Sequence, residues 1–461
     1  MGPRIAIVGG GSTHWTPRLL LDFANTGPLQ DAEVVLMDLD AGSLPVMLDA
    51  ASRIAKRTGS ALSARATTDL GQALEGADFV VAAFSVGGFD SMVHDIEIPA
   101  RYGVRQPVGD SVGPGGVARA LRSVPALLEV ARAMEARCPD ALLINVSNPL
   151  SALCRAATSL TSVATVGLCN EVVGQQFALS LLLGRDMREM DQVVAGVNHL
   201  PLVTSLSVGE EDGFELIRST LASLDEVGHE PVWIDPPKGM HYRKLSPGRQ
   251  WTRADIVHNN RIKLTLFERF GVLPFASDTH IAEFFPHFVT EASDFGRDWG
   301  VHHYGVAGHR RDKEEDDEGL AELLSSEEVP PWPSGELVAP LIASVVADQG
   351  RALPVNLPNS GQVANLPHGP VVECMGVASR RGVEPRDSVE VPSVLGECLR
   401  RVVASQELTV QAALSGDRDA VLAAMMCDPM ASRLAFDALE AMTDELLAAT
   451  AAWLPQFGGR D

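Results

Sequence analysis

The sequence predicts an α/β protein built on a doubly wound parallel sheet, and three observations carry that expectation. Short apolar runs alternate with amphipathic, helix-like stretches from the first residues to about residue 195. The runs are apolar throughout rather than alternating, as strands covered on both faces are. The chain has 461 residues, more than the roughly 250–300 that one core usually holds, so a second packed region is expected.

The elements follow in order. Ile5–Val8 is a buried strand closed by Gly9, Gly10 and Gly11, and a helix begins near Thr16 with Leu19, Leu20, Leu21 and Phe23. Val34–Met37 is the second strand and ends at Asp38; residues 43–57 form a helix and 78–83 a further strand. Residues 117–137 carry Ala, Leu and Arg at helical spacing, and 141–145 is the next strand. Beyond about residue 195 the pattern changes. Residues 204–216 suggest one or two strands, 228–252 a loop region, 256–270 a helix ended by Gly271, and 401–452 two or three helices. The expected division is a dinucleotide-binding domain over 1–195 and a C-terminal α+β domain over 196–461 for substrate, metal and oligomer contacts. The acidic run Asp312–Glu318, with Pro330, Pro331 and Pro333 after it, is expected to be a solvated surface segment.

Composition excludes several classes. Sixty Asp and Glu against 37 Lys and Arg give a formal charge of -23, which argues against a nucleic-acid partner, because phosphate neutralisation needs clustered cations. An anionic small molecule needs only a local positive pocket and stays open. No apolar stretch reaches about 18 residues, so no membrane partner is expected. Six cysteines without CxxC spacing suit reduced thiols and a cytoplasmic location, and the strand-like start suits a chain without a signal peptide.

Five segments carry chemistry. The turn Gly9-Gly10-Gly11 with Ser12 and Thr13 lets backbone approach a pyrophosphate at a helix N-terminus, the arrangement of a Rossmann-type site, although position 14 is His rather than a third spaced glycine. Asp38, at the end of the second strand, is placed to accept hydrogen bonds from ribose hydroxyls, which favours NAD over NADP. Asp110-Ser-Val-Gly-Pro-Gly-Gly116 is either a ligand-facing turn or a structural one. Asn148, in Asn145-Val-Ser-Asn148-Pro149, lies at a strand end, where open α/β sheets bind ligands. Cys169 and His199 each follow an apolar run and could converge on a metal that keeps open positions. In Ser277-Asp278-Thr279-His280-Ile-Ala-Glu283-Phe-Phe-Pro286-His287, a helix would set His280, Glu283 and His287 on one face, lining a cleft or holding a metal.

Together these residues resemble glycoside hydrolase family 4, the NAD- and divalent-metal-dependent glycosidases of lactate/malate dehydrogenase-like fold. The resemblance spans nearly the whole chain: Gly9–Thr13, Asp38, Ile98-Pro99 with Tyr102-Gly103, Gly113–Gly116, Asn148-Pro149, Gly167-Leu-Cys169, Asn198-His199, Leu414–Asp417 and Asp428-Pro429. It implies that Cys169 and His199 hold Mn²⁺ or another divalent metal. It likewise gives Gly9, Gly11, Ser12, Thr13 and Asp38 to NAD, Asn148 to the sugar, and Asp278 to the base of α-glycoside-cleaving members. His280 is expected to face the substrate, and Arg105 and Arg297 are the cations offered to an anionic substituent. The implied reaction oxidises sugar C3, removes the C2 proton, eliminates the glycosidic oxygen, adds water and returns the hydride, with no net redox change.

The resemblance is nearest to the α-galacturonidase and non-phosphorylated α-glycosidase branch. Those members tend to carry His after the ligand Cys; here Asn170 holds that catalytic position, as in the 6-phospho-β-glucosidase branch, whose Tyr base has no clear counterpart among Tyr102, Tyr242 and Tyr304. The expected substrate is therefore an α-glycoside, of a uronic acid or other non-phosphorylated sugar. A 6-phospho-glucosidase of the same family and a dehydrogenase that stops after oxidation are the alternatives. An even homo-oligomer, dimer or tetramer, is expected by resemblance.

Overall fold

The computed structural model describes residues 2–232, 251–327 and 334–458. Tyr242, most of the expected loop 228–252 and the prolines at 330, 331 and 333 lie outside the described residues. Six strands form the parallel part: β1 (Arg4–Val8), β2 (Glu33–Met37), β3 (Ser63–Thr67), β4 (Phe79–Ala82), β5 (Leu142–Asn145) and β6 (Thr165–Gly167). Their order is β3-β2-β1-β4-β5-β6, the doubly wound arrangement in which strand order reverses beside β1. Alternate residues explain why both faces need helices. Ile5 and Ile7 of β1 pack with the helices Thr16–Asn25, Leu44–Thr58 and Val338–Ala347, while Ala6 and Val8 face Gly113–Arg137 and Leu150–Leu160.

The C-terminal half does not build a separate sheet. The strand Arg351–Pro358 pairs antiparallel with β6 through Asn356 and Gly167, and Val371–Ser379 pairs with it over its full length. The hairpin β7 (Met190–Val197) and β8 (Leu200–Val208) then joins through Glu373 opposite Gly196, and Leu273–Pro274 closes that edge. One continuous sheet therefore runs from β3 to residue 274.

Several expectations need correction. Residues 204–216 are the end of β8, a two-residue strand and the helix Gly213–Ala222, started by Asp212, whose side chain accepts from the N–H groups of Phe214 and Glu215. Residues 256–270 belong to two helices, Arg253–Asn259 and Arg261–Phe270, the second ended by Gly271 at φ 73°. The acidic run is not a free surface segment: it lies in the helix Gly305–Ser325, where Asp316 accepts from Arg18 at 2.7 Å and lies 2.8 Å from His14 Nδ1. The helix from Asp278 stops at Phe284 ahead of Pro286, so exposed His287 sits on a following 3₁₀ turn and shares no helix face with His280.

Asp22, 1% exposed on the first helix, ties that helix to residue 334 by accepting from Ser334 N at 2.6 Å and from its hydroxyl. Burial raises its pKa from 3.8 to about 6 against the opposing effect of the Ser334 bonds. The folded state thus keeps this proton to higher pH than the unfolded chain, and stability falls as pH rises from about 4 to about 6. Asp22→Asn removes that dependence. Relative to wild type, the variant should gain about 3 kcal/mol between pH 4 and pH 7, from the roughly two-unit shift, measured by paired denaturant unfolding.

Candidate functional site

The glycine turn forms first, because the chain leaves β1 with no room for side chains. Gly9 has φ 93°, and a Cβ there would lie 2.2 Å from the carbonyl oxygen of Ala83 at the end of β4. A Cβ on Gly11 would lie 2.0 Å from Ser43 Oγ. Gly11 N donates to Asp38 Oδ2 at 2.9 Å, and Ser12 Oγ accepts from Trp15 N at the start of the helix. Thr13 Oγ1 is buried without a hydrogen-bond partner among the described residues. Backbone without Cβ atoms, a strand-end carboxylate and an unsatisfied hydroxyl suit a dinucleotide.

The second part lies at the carboxyl ends of β5 and β6 and on the β7–β8 hairpin. Val197 pairs with Leu200, so Asn198 and His199 are a two-residue turn, and His199 takes φ 66°, a left-handed conformation costing about 1–3 kcal/mol in a residue with a side chain. His199 is 4% exposed, and its ring lies against that of His280, tilted by 37° with ring centroids 3.8 Å apart. His199 Nδ1 lies 2.9 Å from Ser111 Oγ and 3.6 Å from Asp110 Oδ1. Ser111 has one hydroxyl hydrogen, and Asp110 Oδ1, 2.9 Å away, can only accept. The hydrogen therefore goes to Asp110, His199 Nδ1–H donates to Ser111, and Nε2 is left with a free lone pair. Burial, with His280 beside it, lowers the His199 pKa to about 4 against the pull of Asp110 and Glu171, so the ring is neutral at pH 7. A neutral imidazole oriented through its second nitrogen is the form that binds metals.

One donor atom from each of Asp110, His199 and His280 lies within 4.8 Å of the others. His280 Nδ1 is buried without a partner among the described residues, and its Nε2 is 3.9 Å from Glu171 Oε1. Asn148 reaches the same group, its Nδ2 donating to Asp110 Oδ2 at 2.9 Å. Cys169, at the end of β6, is not one of the three clustered donors. It shares Glu171 as a neighbour with both histidines, and burial together with Glu373 and Glu171 pushes its thiol well above the ordinary range. A cation beside it reverses that balance and favours the thiolate.

Other expected residues fall elsewhere. Asp278 is 2% exposed, and its side chain meets the start of the helix Arg261–Phe270. Its Oδ2 accepts from Ile262 N at 2.6 Å and its Oδ1 from Lys263 N at 3.2 Å, with Lys263 Nζ at 3.6 Å. Both oxygens cap a helix and pair a buried lysine, each keeping a second lone pair, and neither hydrogen-bonds to Asp110, His199 or His280. Arg105 is exposed and lies over the Phe295 ring at 3.9 Å, and Arg297 pairs with Asp294 on the surface; neither hydrogen-bonds or ion-pairs with the cluster. Asn170 donates to Glu336 Oε1 at 3.1 Å. Asp110 and Ser111, which reach His199, went unassigned in the sequence. Their signal was the glycine-rich segment that follows them, whose amides turn out to serve the protein itself: Gly113 N donates to Asp428 and Gly115 N to Gln106.

The sequence profile of the family 4 glycosyl hydrolases matches residues 4–184, and that of the family's C-terminal domain matches residues 194–431. The chain belongs to family 4 of the glycosyl hydrolases. This family 4 enzyme is 30% identical over 447 residues to an alpha-galacturonidase of Thermoanaerobacterium saccharolyticum, covering 92% of this chain and 91% of that one. It is 28% identical to an alpha-galactosidase of Bacillus subtilis, covering 98% and 99%. A crystal structure of a Bacillus subtilis glucosidase superposes with a TM-score of 0.81 at 28% identity, covering 97% of this chain and all of the other. The 6-phospho-beta glucosidase of Thermotoga maritima, solved with manganese, NAD⁺ and glucose-6-phosphate, shares the fold at a TM-score of 0.76 and 20% identity, over 98% and 99%.

The Asp278 geometry has a direct test. In the family 4 enzyme, Asp278→Asn keeps an acceptor but loses the charge facing Lys263, so stability should drop by about 1–3 kcal/mol while turnover stays within about tenfold. A loss of turnover above about 10³-fold with stability intact would identify Asp278 as the base.

Proposed function

We propose that this family 4 enzyme cleaves an α-glycoside of a uronic acid or another non-phosphorylated sugar, using NAD and a divalent metal in the crevice between the glycine turn and the His199–His280 pair. The observation that carries the reading is the neutral, oriented His199 at the carboxyl ends of the strands, on the same sheet edge as the Gly9–Gly11 turn. The curated relatives named as alpha-galacturonidases support the substrate class.

When bound, NAD⁺ accepts and returns a hydride at sugar C3, and a metal such as Mn²⁺ supplies the Lewis acidity that draws charge toward the C2 and C3 oxygens, so that elimination and water addition replace direct displacement. The chain's own residues bind and orient these groups. Gly9 and Gly11 admit the pyrophosphate, Ser12 and Thr13 border it, and Asp38 faces the ribose. His199 offers Nε2 to the metal, with Cys169 as the second ligand across the crevice, and Asp110 fixes the imidazole from behind through Ser111. Asn148 and His280 orient sugar hydroxyls. The Asn170 amide is not acidic at neutral pH, so in this proposal it orients the leaving group by hydrogen bonding and is not its acid.

The division into a dinucleotide lobe over 1–195 and a second lobe over 196–461 is part of the same proposal, as are an even homo-oligomer and a cytoplasmic location. Six free cysteines, and no helix among the described residues long and apolar enough to cross a membrane, are consistent with that location.

The test incubates the protein with NAD⁺, Mn²⁺ and a reductant against p-nitrophenyl α- and β-glycosides, uronides and 6-phosphates in deuterated water. Cleavage of an α-galacturonide with deuterium incorporated at C2 is expected, and Cys169→Ala or His199→Ala should lose the metal-dependent rate. Exclusive turnover of a 6-phosphate would transfer the enzyme to that branch, and steady NADH accumulation would indicate a dehydrogenase. Cleavage that survives removal of NAD⁺ and metal would sink the mechanism.

A further inference from the structure

The strap Gln106–Gly113 passes under His199 and is held on every side. Gln106 bridges the helix Gly88–Arg101 and the helix Gly113–Arg137, its Nε2 donating to Asp95 O at 2.8 Å and its Oε1 accepting from Gly115 N at 2.9 Å. Pro107 O accepts from Tyr304 N at 2.8 Å, and Gly113 N donates to Asp428 Oδ2 at 2.7 Å. The strap lies so close to the glycine-rich helix start that a Cβ on Gly115 would sit 2.7 Å from Gly109 O, and one on Gly116 2.6 Å from the Ser111 carbonyl carbon. At its centre, Glu283 Oε1 accepts from both Val108 N and Gly109 N at 2.8 Å. Glu283 is 1% exposed and belongs to the helix Asp278–Phe284, which also carries His280.

We infer that Glu283 is a positioning residue for the metal centre: by holding Val108 and Gly109 it sets Asp110 and Ser111 against His199 Nδ1, and so fixes which nitrogen of His199 faces the metal. The inference rests on the metal reading above. Asp110 and Ser111 directly follow the two clamped amides, and their side chains meet the imidazole. A buried carboxyl group committed to two backbone amides is a costly way to hold a loop unless the loop's placement matters. The helix that supplies the clamp also places His280 at 3.8 Å from the His199 ring, so one rigid element sets both the histidine's neighbour and the strap that orients it. Groups in this position behind a metal ligand typically change metal affinity by 10–100-fold when removed.

Both amide bonds fall on a single oxygen, and this makes the claim specific. A Gln side chain offers one carbonyl oxygen in the same place, whereas Met keeps the volume and offers no such acceptor. In the full-length protein, Mn²⁺ affinity measured from the electron paramagnetic resonance signal of free Mn²⁺ should weaken at least about tenfold in Glu283→Met and stay within about threefold of wild type in Glu283→Gln. Equal binding by wild type and folded Glu283→Met would overturn the inference. If Glu283→Met does not fold, Ser111→Ala examines the same link from its other end: weaker Mn²⁺ binding with an unchanged melting temperature supports it, and wild-type affinity overturns it. Wild-type protein that binds no Mn²⁺ would remove the metal reading itself, a result distinct from the loss of Glu283's role alone.

Discussion

Ser111 has one hydroxyl hydrogen, and its destination decides what His199 can bind. Asp110 takes it because a carboxylate only accepts, so His199 must donate through Nδ1 and keep a lone pair on Nε2. The remaining architecture maintains that short relay. A left-handed turn residue brings the imidazole inward, and burial keeps it neutral. A strap pinned by Gln106, Glu283 and Asp428 keeps the serine beneath it. The strain of a φ of 66° and the burial of several carboxylates are costs that packing elsewhere must offset, a pattern typical of functional sites.

The continuous sheet explains how the relay is assembled from distant segments. The parallel strands β1 and β4 to β6 bring the glycine turn, Asn148 and Cys169 to one edge. The antiparallel pair Arg351–Pro358 and Val371–Ser379 then spans from β6 to the β7–β8 hairpin, so His199 is delivered to that edge by backbone hydrogen bonds rather than by a loose domain contact. Glu373, unexposed on Val371–Ser379 opposite Gly196, sits behind Cys169, and burial raises its pKa to about 8. The proposed metal crevice is thus a feature of the sheet, with its candidate ligands after a strand end and on a two-residue turn.

Much of this was legible in the sequence, for identifiable reasons. The parallel strands announce themselves as apolar runs because both of their faces are buried, and Gly9, Asn148, Cys169 and His199 stand out because each lies within a few residues of the end of such a run. The strand Arg351–Pro358 escaped because Pro354 and Pro358 mask its pattern, which is tolerable only where those positions donate no ladder bond. Asp316 escaped because a run of like charges says nothing about which member turns inward to Arg18. For Asp278 a motif shows that a carboxylate is present and not where its oxygens point; that they meet the backbone N–H groups of Ile262 and Lys263 was not legible. Glu283 was visible only as a residue at helical spacing from His280, since its partners are backbone amides more than 170 residues away in sequence.

The most direct measurement is the anomalous diffraction of crystals soaked with Mn²⁺ and NAD⁺. The account predicts one manganese peak on His199 Nε2, with Nδ1 still against Ser111 and Cys169 Sγ on the same ion. Manganese bound through Nδ1, with Ser111 displaced, or a peak away from His199 altogether, would contradict it.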